Sequence, residues 1–298
     1  MSRIIFKNII AVCIAFLAIL SASFVSAAQC SSTTDASTVI AANGGNWGAC
    51  EGATPDALEV SFYKLALCTA KPTITDDSAC TYFLNTSTPV KATISIGTEI
   101  PLLSGDISIP EGVYTHSFMM IDTTIGLKTT FEFATGNEQY DGAGNQGKYC
   151  WTNGEDIVWG YPNPADMPFT CGSNPVPATS EETFKAFGCD DNDPCDVTNT
   201  LINQQTTSTV YDVYLLKDAT TLASVGRNNQ GYPVGDAQYI WGVQKFNNAP
   251  QIDANTSKIE MGFKLTEGMD IGFNSWSCAQ PCVEGVNLTS FQFTMATE

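Results

Sequence analysis

The chain has 298 residues and a formal net charge of −18, with 31 acidic and 13 basic side chains. This charge excludes nucleic acid and anionic membrane surfaces as partners, because both are bound through a basic surface. It does not indicate disorder, since hydrophobic residues make up 43% and aromatic residues 10% of the chain. A chain of this length can bury a sizeable core, in one large domain or two modest ones.

Residues 1–28 have the layout of a cleaved secretory signal peptide. Arg3 and Lys7 precede an apolar run at residues 9–20, and small residues follow up to Ala28. The alternative is an uncleaved anchor, but this run is shorter than the ~20 residues that a membrane-spanning helix needs. The sequence therefore predicts a protein that is secreted or exposed at the cell surface, with the periplasm also compatible, and without membrane insertion after cleavage.

The cysteines predict a disulfide framework. The sequence has 11 of them, and removal of Cys13 with the signal leaves an even number, which suits an oxidising compartment. Zinc is disfavoured, because no Cys-x-x-Cys pair exists and His116 is the single histidine. Connectivity does not follow from sequence, so we predict bridges between nearest neighbours, which close the shortest loops. These pairs are Cys30 with Cys50, Cys68 with Cys80, Cys150 with Cys171, Cys189 with Cys195, and Cys278 with Cys282.

Short β-strand patterns recur along the chain. Leu58, Val60 and Phe62 alternate with polar residues, and the break near Lys64 predicts a bulge. Residues 107–133 are typical of two strands joined by a polar Asp-Thr-Thr turn. The first of these strands has apolar side chains on both faces, which predicts a central strand with a packed or hydrogen-bonded histidine. Further strand patterns lie at residues 82–84, 90–96, 209–216, 238–246, 257–265 and 286–295.

These patterns predict an all-β fold, a disulfide-stapled β-sandwich or jelly-roll-like architecture with a long irregular cysteine-rich insertion. Strand patterns lie on both sides of the insertion, so one sandwich and two β-domains are both compatible. Within the insertion, Ser180 is a candidate cap for a short helix over residues 180–187. The predicted segments are the signal (1–28), a cysteine-tied N-terminal segment (29–56), a first β half or domain (57–135), the insertion (136–205) and a second β half or domain (206–298).

An acidic loop between two cysteines is the sharpest local feature. Carboxylate and amide oxygens are the hard ligands that calcium takes, so calcium is the cofactor to test; otherwise we expect none. The spacing differs from the twelve-residue calcium loop, and a solvated acidic turn is the alternative. The candidate ligands are Asp190, Asp191, Asn192, Asp193 and Asp196. A weaker candidate is the segment from Asp141 to Asn145.

Loop aromatic residues are the candidates for ligand binding. A rigid, amphipathic ring can stack on a sugar or anchor an interface. Trp151, Trp159 and Tyr161 in the insertion are the residues that we select for this role. Packing against a disulfide or under a loop is the alternative for each tryptophan. Trp241 lies inside a strand pattern, which predicts a core position.

The sequence carries no catalytic signature. It lacks the Gly-x-Ser-x-Gly, His-Glu-x-x-His and phosphate-binding loop motifs. We therefore expect a non-enzymatic secreted or surface protein with a structural, adhesive or filament- or matrix-forming role, whose partners are itself or surface glycans. The alternative is a carbohydrate-binding module, or an enzyme that acts on carbohydrate through carboxyl groups.

Overall fold

The all-β fold class is confirmed in a computed structural model. It describes residues 29–95, 109–158, 164–187, 195–202, 210–229, 232–256, 259–276, 278–288 and 292–297. These residues form strands and turns, with one short α-helix and one turn of 3-10 helix, Pro164–Asp166. Within these ranges no helix is long and apolar enough to cross a membrane.

The helix α1 spans Ala36–Ala42, and the strands follow it along the chain. The strands of the first half are β1 (Trp47–Ala53), β2 (Ala57–Cys68), β3 (Cys80–Ser95), β4 (Gly112–Val113), β5 (His116–Asp122), β6 (Thr124–Lys128), β7 (Thr130–Glu132), β8 (Gln139–Tyr140), β9 (Gln146–Gly147), β10 (Tyr149–Thr152), β11 (Phe169–Gly172) and β12 (Ser180–Thr183). Those of the second half are β13 (Thr198–Ile202), β14 (Val210–Asp218), β15 (Thr221–Leu222), β16 (Val225–Arg227), β17 (Pro233–Gly235), β18 (Tyr239–Lys245), β19 (Gln251–Ile252), β20 (Ile259–Lys264), β21 (Met269–Asn274), β22 (Cys282–Leu288) and β23 (Gln292–Thr297).

The largest sheet has nine strands, which come from both halves of the sequence. Strand β2 pairs with β3 along one edge and with β5 and β6 along the other. The sheet continues from β5 through β18 and β14 to β13, while β12 pairs with β6 and β15 with β14. The predicted bulge in β2 is confirmed by a register shift between Phe62 and Lys64. Because β5 and β18 are paired, the two halves share one sheet.

The predicted turn between β5 and β6 is wrong. Both strands pair with the same edge of β2, Phe62 with Ile121 and Leu58 with Leu127, so the chain continues in one direction. Residues 122–124 are an irregularity in this line, where Asp122 Oδ1 accepts the Thr124 N–H at 2.9 Å. Asp and Thr favour turns locally, but the pairing with β2 decides the course of the chain. The central position of β5 is confirmed.

A five-stranded sheet, in the order β1-β21-β22-β8-β9, contributes to the same core. The largest cluster of buried side chains joins Phe62 and Ile121 of the nine-stranded sheet to Ile271 and Phe273 of the five-stranded sheet. Burial of apolar surface between such layers, at roughly 25 cal/mol per Å², is the main stabilising term in folding. A three-stranded sheet (β11-β10-β7) and the pairs β16-β17, β4-β19 and β20-β23 complete the described sheets.

Aromatic side chains cover the other face of the nine-stranded sheet. Phe118 of β5 and Trp241 of β18 are buried there, with ring centroids 5.2 Å apart. Tyr214 meets the same indole edge-on, also at 5.2 Å. The prediction that Trp241 belongs to the core is confirmed, and β5 is apolar on both faces as predicted.

His116 occupies a scaffold position in β5. Its Nδ1 lies 2.8 Å from Thr115 Oγ1, in hydrogen-bonding contact. Burial lowers the pKa of the imidazole, and the positive charges of Lys245 and Lys71 lower it further. The prediction of a hydrogen-bonded histidine in a central strand is therefore confirmed.

The disulfides follow the nearest-neighbour prediction wherever both cysteines are described. Cys195 is also disulfide-bonded, and its predicted partner Cys189 lies outside the described residues. Two of the bridges join neighbouring strands, β2 to β3 and β10 to β11. Such bridges stabilise a fold by restricting the unfolded chain, typically by about 2–4 kcal/mol each. The bridges between described cysteines are Cys30–Cys50, Cys68–Cys80, Cys150–Cys171 and Cys278–Cys282.

The predicted helix over residues 180–187 is wrong. Residues 180–183 form β12, in which Ser180 lies opposite Leu127 of β6. Ser180 is fully buried, and its Oγ accepts the Gly154 N–H at 3.2 Å. Ser180, the predicted helix cap, therefore lies within a strand. Pairing with the free edge of β6 satisfies more backbone hydrogen-bonding groups in residues 180–183 than one helical turn would.

The N-terminal segment, predicted from its two cysteines as a tied segment, also has regular structure. It holds α1, and Asp35 caps this helix by accepting the Thr38 N–H at 2.8 Å. Val39 and Ile40 of the helix join the main core. The Asn-Gly-Gly-Asn segment after it forms a turn, with Gly44 at φ 71°. The segment is therefore part of the packed fold as well as being tied by a bridge.

Two glycines meet where a side chain could not fit. A Cβ at Gly147 of β9 would lie 2.2 Å from the Cα of Gly172 in β11. We expect Gly147→Ala to lower the free energy of unfolding by about 2 kcal/mol or more, because backbone would have to move. Gly226→Ala is the control, since no atom lies within 4 Å of its Cβ position, and it should change stability by about 0.5 kcal/mol or less. Equal denaturant midpoints for the two variants would contradict this close packing.

Candidate functional site

Trp151, the first aromatic residue predicted to bind ligand, lies inside the protein. It is 8% exposed, and a Cβ at Gly172 would stand 3.1 Å from its ring, so this glycine leaves the space that the indole fills. Its burial beside the neighbouring disulfide favours a packing role over stacking on a sugar. Trp159 and Tyr161 lie outside the described residues, and their role stays a prediction.

Asp196 is the one predicted calcium ligand that the structure describes. Its Oδ1 accepts the backbone N–H groups of Thr198 at 3.0 Å and Val197 at 2.6 Å, and these bonds hold its pKa below the usual value. The Asp196 carboxylate therefore closes a local turn at the start of β13. The other predicted ligands, which lie outside the described residues, are Asp190, Asp191, Asn192 and Asp193.

Calcium binding stays a prediction. Across the described ranges no three His, Cys, Asp or Glu side chains are grouped as a metal site would need. In the weaker candidate, Asp141 Oδ1 accepts the backbone N–H of Asn145 at 2.8 Å, and Oδ2 accepts the Asn145 side-chain amide and the Cys171 N–H, both at 3.0 Å. This buried carboxylate closes its own loop onto a disulfide. Thermal melting with and without a chelator tests for calcium elsewhere.

Two other tryptophans lie exposed at one end of the five-stranded sheet. Trp47 begins β1 and pairs with Asn274 of β21, and Trp276 follows two residues after this asparagine. Trp47 is 48% exposed and Trp276 is 84% exposed. With Glu284 of β22, these residues make up what we call the tryptophan site. Neither tryptophan was selected from the sequence; each stands among Gly, Asn and Ser residues, a context they share with Trp151 and Trp159.

Gly272 leaves the space that the Trp47 indole occupies. Gly272 of β21 lies opposite Gly285 of β22. A Cβ at Gly272 would stand 3.5 Å from Trp47 Nε1, so the indole lies across the sheet at this point. The neighbours Ile271 and Phe273 belong to the core, and side chains alternate between the faces of a strand. Trp47 is therefore on the face of the sheet that points away from the core.

Glu284 gives the tryptophan site a fixed carboxyl group. Burial raises its pKa, against hydrogen bonds from the side chains of Asn274 and Trp47, which lower it. The indole N–H and the amide N–H are the donors in these two bonds. The same contacts hold the Trp47 ring in one orientation, which reduces the entropy lost on binding a ligand.

The site combines a stacking surface with hydrogen-bonding groups. An exposed indole can cover the apolar face of a sugar ring. The remaining lone pairs of Glu284 can accept hydrogen bonds from hydroxyl groups beside that ring. This combination is suited to reversible binding of a polyhydroxylated ligand.

Comparison with known proteins assigns no family. The chain matches no protein-family model, no curated protein and no solved structure. The side chains of the tryptophan site are therefore the basis for assigning it a function.

Asp270, the carboxyl group of β21, makes stability depend on pH. Burial raises its pKa to about 6, against a hydrogen bond from the Gly52 N–H, and the charge of Glu51 raises it further. An unfolded aspartate has a pKa of about 3.9, so the folded state holds this proton more tightly. Its stabilising contribution is complete below about pH 4 and is lost as the pH rises through about 6.

We expect Asp270→Asn to raise the melting temperature at about pH 8, where the aspartate is ionised, and to have little effect at about pH 4. The gain should be about 1–2 kcal/mol after allowance for solvent screening. The amide oxygen of asparagine can still accept the Gly52 N–H, which lies 3.2 Å from Asp270 Oδ1.

Asp218→Asn is a control, because the pKa of Asp218 is shifted in the direction opposite to that of Asp270. The Thr220 N–H, 3.0 Å from Asp218 Oδ1, holds the pKa of this carboxyl below its usual value. Its stabilising contribution is present above the unfolded pKa and is lost as the pH falls. The Asp218→Asn variant should therefore melt at a lower temperature than the parent at neutral pH. A parent-like pH profile for Asp270→Asn would contradict the burial of Asp270.

Proposed function

We propose that the chain is an extracellular, non-enzymatic β protein with an adhesive role, and that it binds surface glycans through the tryptophan site. The observation that supports this proposal is the 84% exposure of Trp276, which follows two residues after the strand partner of the half-exposed Trp47. A large apolar side chain left in water forgoes roughly 2 kcal/mol of burial. A sugar ring stacked on the indole recovers that energy, while Asn274 and Glu284 offer polar contacts.

The charge of the chain narrows the class of glycan. A net charge of −18 repels anions at long range, and the tryptophan site contains a carboxyl group of its own. Neutral oligosaccharides are therefore the expected ligands, in preference to sulfated or sialylated ones. The disulfides, together with the predicted signal at residues 1–28, support an extracellular location.

Self-association into a filament or matrix is the second candidate. Strand β3 is 16 residues long, and no described strand pairs with the edge that faces away from β2. An open edge is a template for pairing with another chain. However, Pro89 and Lys91 lie within this strand, and both residue types hinder pairing between edges. For this reason we rank glycan binding first.

The first test of the proposal is Trp276→Ala. We expect the parent protein to bind neutral glycans on an array and the variant to bind the selected oligosaccharide at least tenfold more weakly, about 1.4 kcal/mol. The melting temperature should not change, because the ring contributes little to the core. Trp276→Phe keeps an aromatic ring and should retain part of the affinity.

Val176→Ala is the matched control for this experiment. Val176 is 76% exposed and lies outside the tryptophan site, so its truncation should leave glycan binding unchanged. Equal affinities of the parent and Trp276→Ala would refute the assignment of the site. A parent protein that binds no neutral glycan, yet forms filaments on micrographs, would favour the self-association role.

A further inference from the structure

A pocket of about 560 Å³ opens beside β12, and it shares no described residue with the tryptophan site. Its volume is typical of sites for small organic molecules. Its described lining comes from residues 156–158, 181–187, 228, 232–234 and 287–288. We call it the Glu182 pocket.

Glu182 lines this pocket, and one of its carboxyl oxygens has no hydrogen-bond partner among the described residues. It lies in β12 opposite Ile125 of β6, two residues after the buried Ser180 and so on the same face of the strand. Part of the residue is exposed, but its Oε2 atom is buried and makes no hydrogen bond. An unsatisfied buried polar atom costs about 1–3 kcal/mol and calls for an explanation, such as a ligand.

The charges around Glu182 are mainly negative. Asp156 and Glu181 also line the pocket, and Lys185 is the cationic group of the described lining. Tyr232 is the remaining titratable group there. Since three carboxyl groups face one ammonium group, the field of the described lining favours a positively charged ligand.

The walls of the pocket are partly apolar and aromatic. Phe184, Phe187 and Tyr232 contribute rings, and Ile157 and Leu288 contribute aliphatic side chains. Aromatic faces attract organic cations, an effect of about 0.5–2 kcal/mol. A ligand that fits must therefore carry both an apolar body and a charged group.

We infer that the Glu182 pocket binds a small primary amine with an apolar body, and that the ammonium group pairs with the carboxylate of Glu182. The ammonium supplies the donors that Oε2 lacks, and the apolar body contacts the ring-bearing walls. An anionic ligand would face three carboxyl groups. A neutral sugar could stack on these rings, but it carries no charge to pair with the carboxylate of Glu182.

This pairing links binding to a proton. Burial raises the pKa of Glu182 to about 8, so below this pH the incoming ammonium has to displace the proton of the carboxyl group. Affinity should therefore increase as the pH rises from about 6 to about 8.5, where a primary alkylamine is still mainly protonated. The binding heat should also depend on the buffer, because a proton is released.

Benzylamine is a suitable probe, with benzyl alcohol as the uncharged molecule of the same shape. In calorimetric titrations of the full chain, we expect benzylamine to bind at least tenfold more tightly at about pH 8.5 than at about pH 6. Benzyl alcohol should bind at least tenfold more weakly than benzylamine at the higher pH. This comparison uses the parent protein and needs no variant to fold.

Glu182→Gln tests the assignment to one residue. The variant keeps the shape of the side chain and removes its charge, so benzylamine affinity at about pH 8.5 should fall at least tenfold. At about pH 8.5 its melting temperature should equal or exceed that of the parent, because a buried carboxylate is removed. Glu111→Gln, at an exposed residue outside the pocket lining, should bind benzylamine within about threefold of the parent.

Three results would overturn the inference. They are the absence of benzylamine binding at about pH 8.5, equal affinity for benzylamine and benzyl alcohol, and unchanged benzylamine binding by Glu182→Gln. Each of these is independent of glycan binding at the tryptophan site, which shares no described residue with the pocket.

Discussion

The antiparallel pairing of β2 with the continuous line of β5 and β6 is the constraint on which both candidate sites depend. The register that places Phe62 opposite Ile121 directs these side chains towards the five-stranded sheet. A shift by one residue would send every side chain of β2 to the other face. Ile271 and Phe273 of β21 pack into the core that this register builds, so the other face of β21 is left for Trp47. Strand β6, the second part of this line, also provides the edge with which β12 pairs, and β12 contains Glu182 of the pocket.

Local sequence patterns predicted the features that depend on short-range order. Alternation in β2, apolar residues on both faces of β5 and the core position of Trp241 follow from a strand period of two. Neighbouring cysteines formed bridges because each pair closes a short loop or spans two adjacent strands, as Cys68 and Cys80 do. These features need no knowledge of distant partners.

The candidate sites required contacts that no local pattern contains. Trp47 and Asn274 are brought together only by the pairing of β1 with β21, which joins the two ends of the sequence. Likewise, the Asp-Thr-Thr segment after β5 has turn-forming residues, yet β2 holds it in line. Ser180 shows the same effect, since its residue type suits a helix cap and its neighbour β6 makes it part of a strand.

The disulfides and the partly buried acidic side chains have opposite effects on the stability of the folded state. Glu182, Asp270 and Glu284 each have a pKa raised by burial, so the ionised form of each is less favourable in the folded state than in the unfolded chain. Bridges that restrict the unfolded chain offset such costs without filling the sites. The bridge between Cys278 and Cys282 lies between Trp276 and Glu284 in the sequence and shortens the free chain that connects them. The Cys278–Cys282 disulfide therefore stabilises the fold and also limits the conformational freedom of the tryptophan site before any ligand binds.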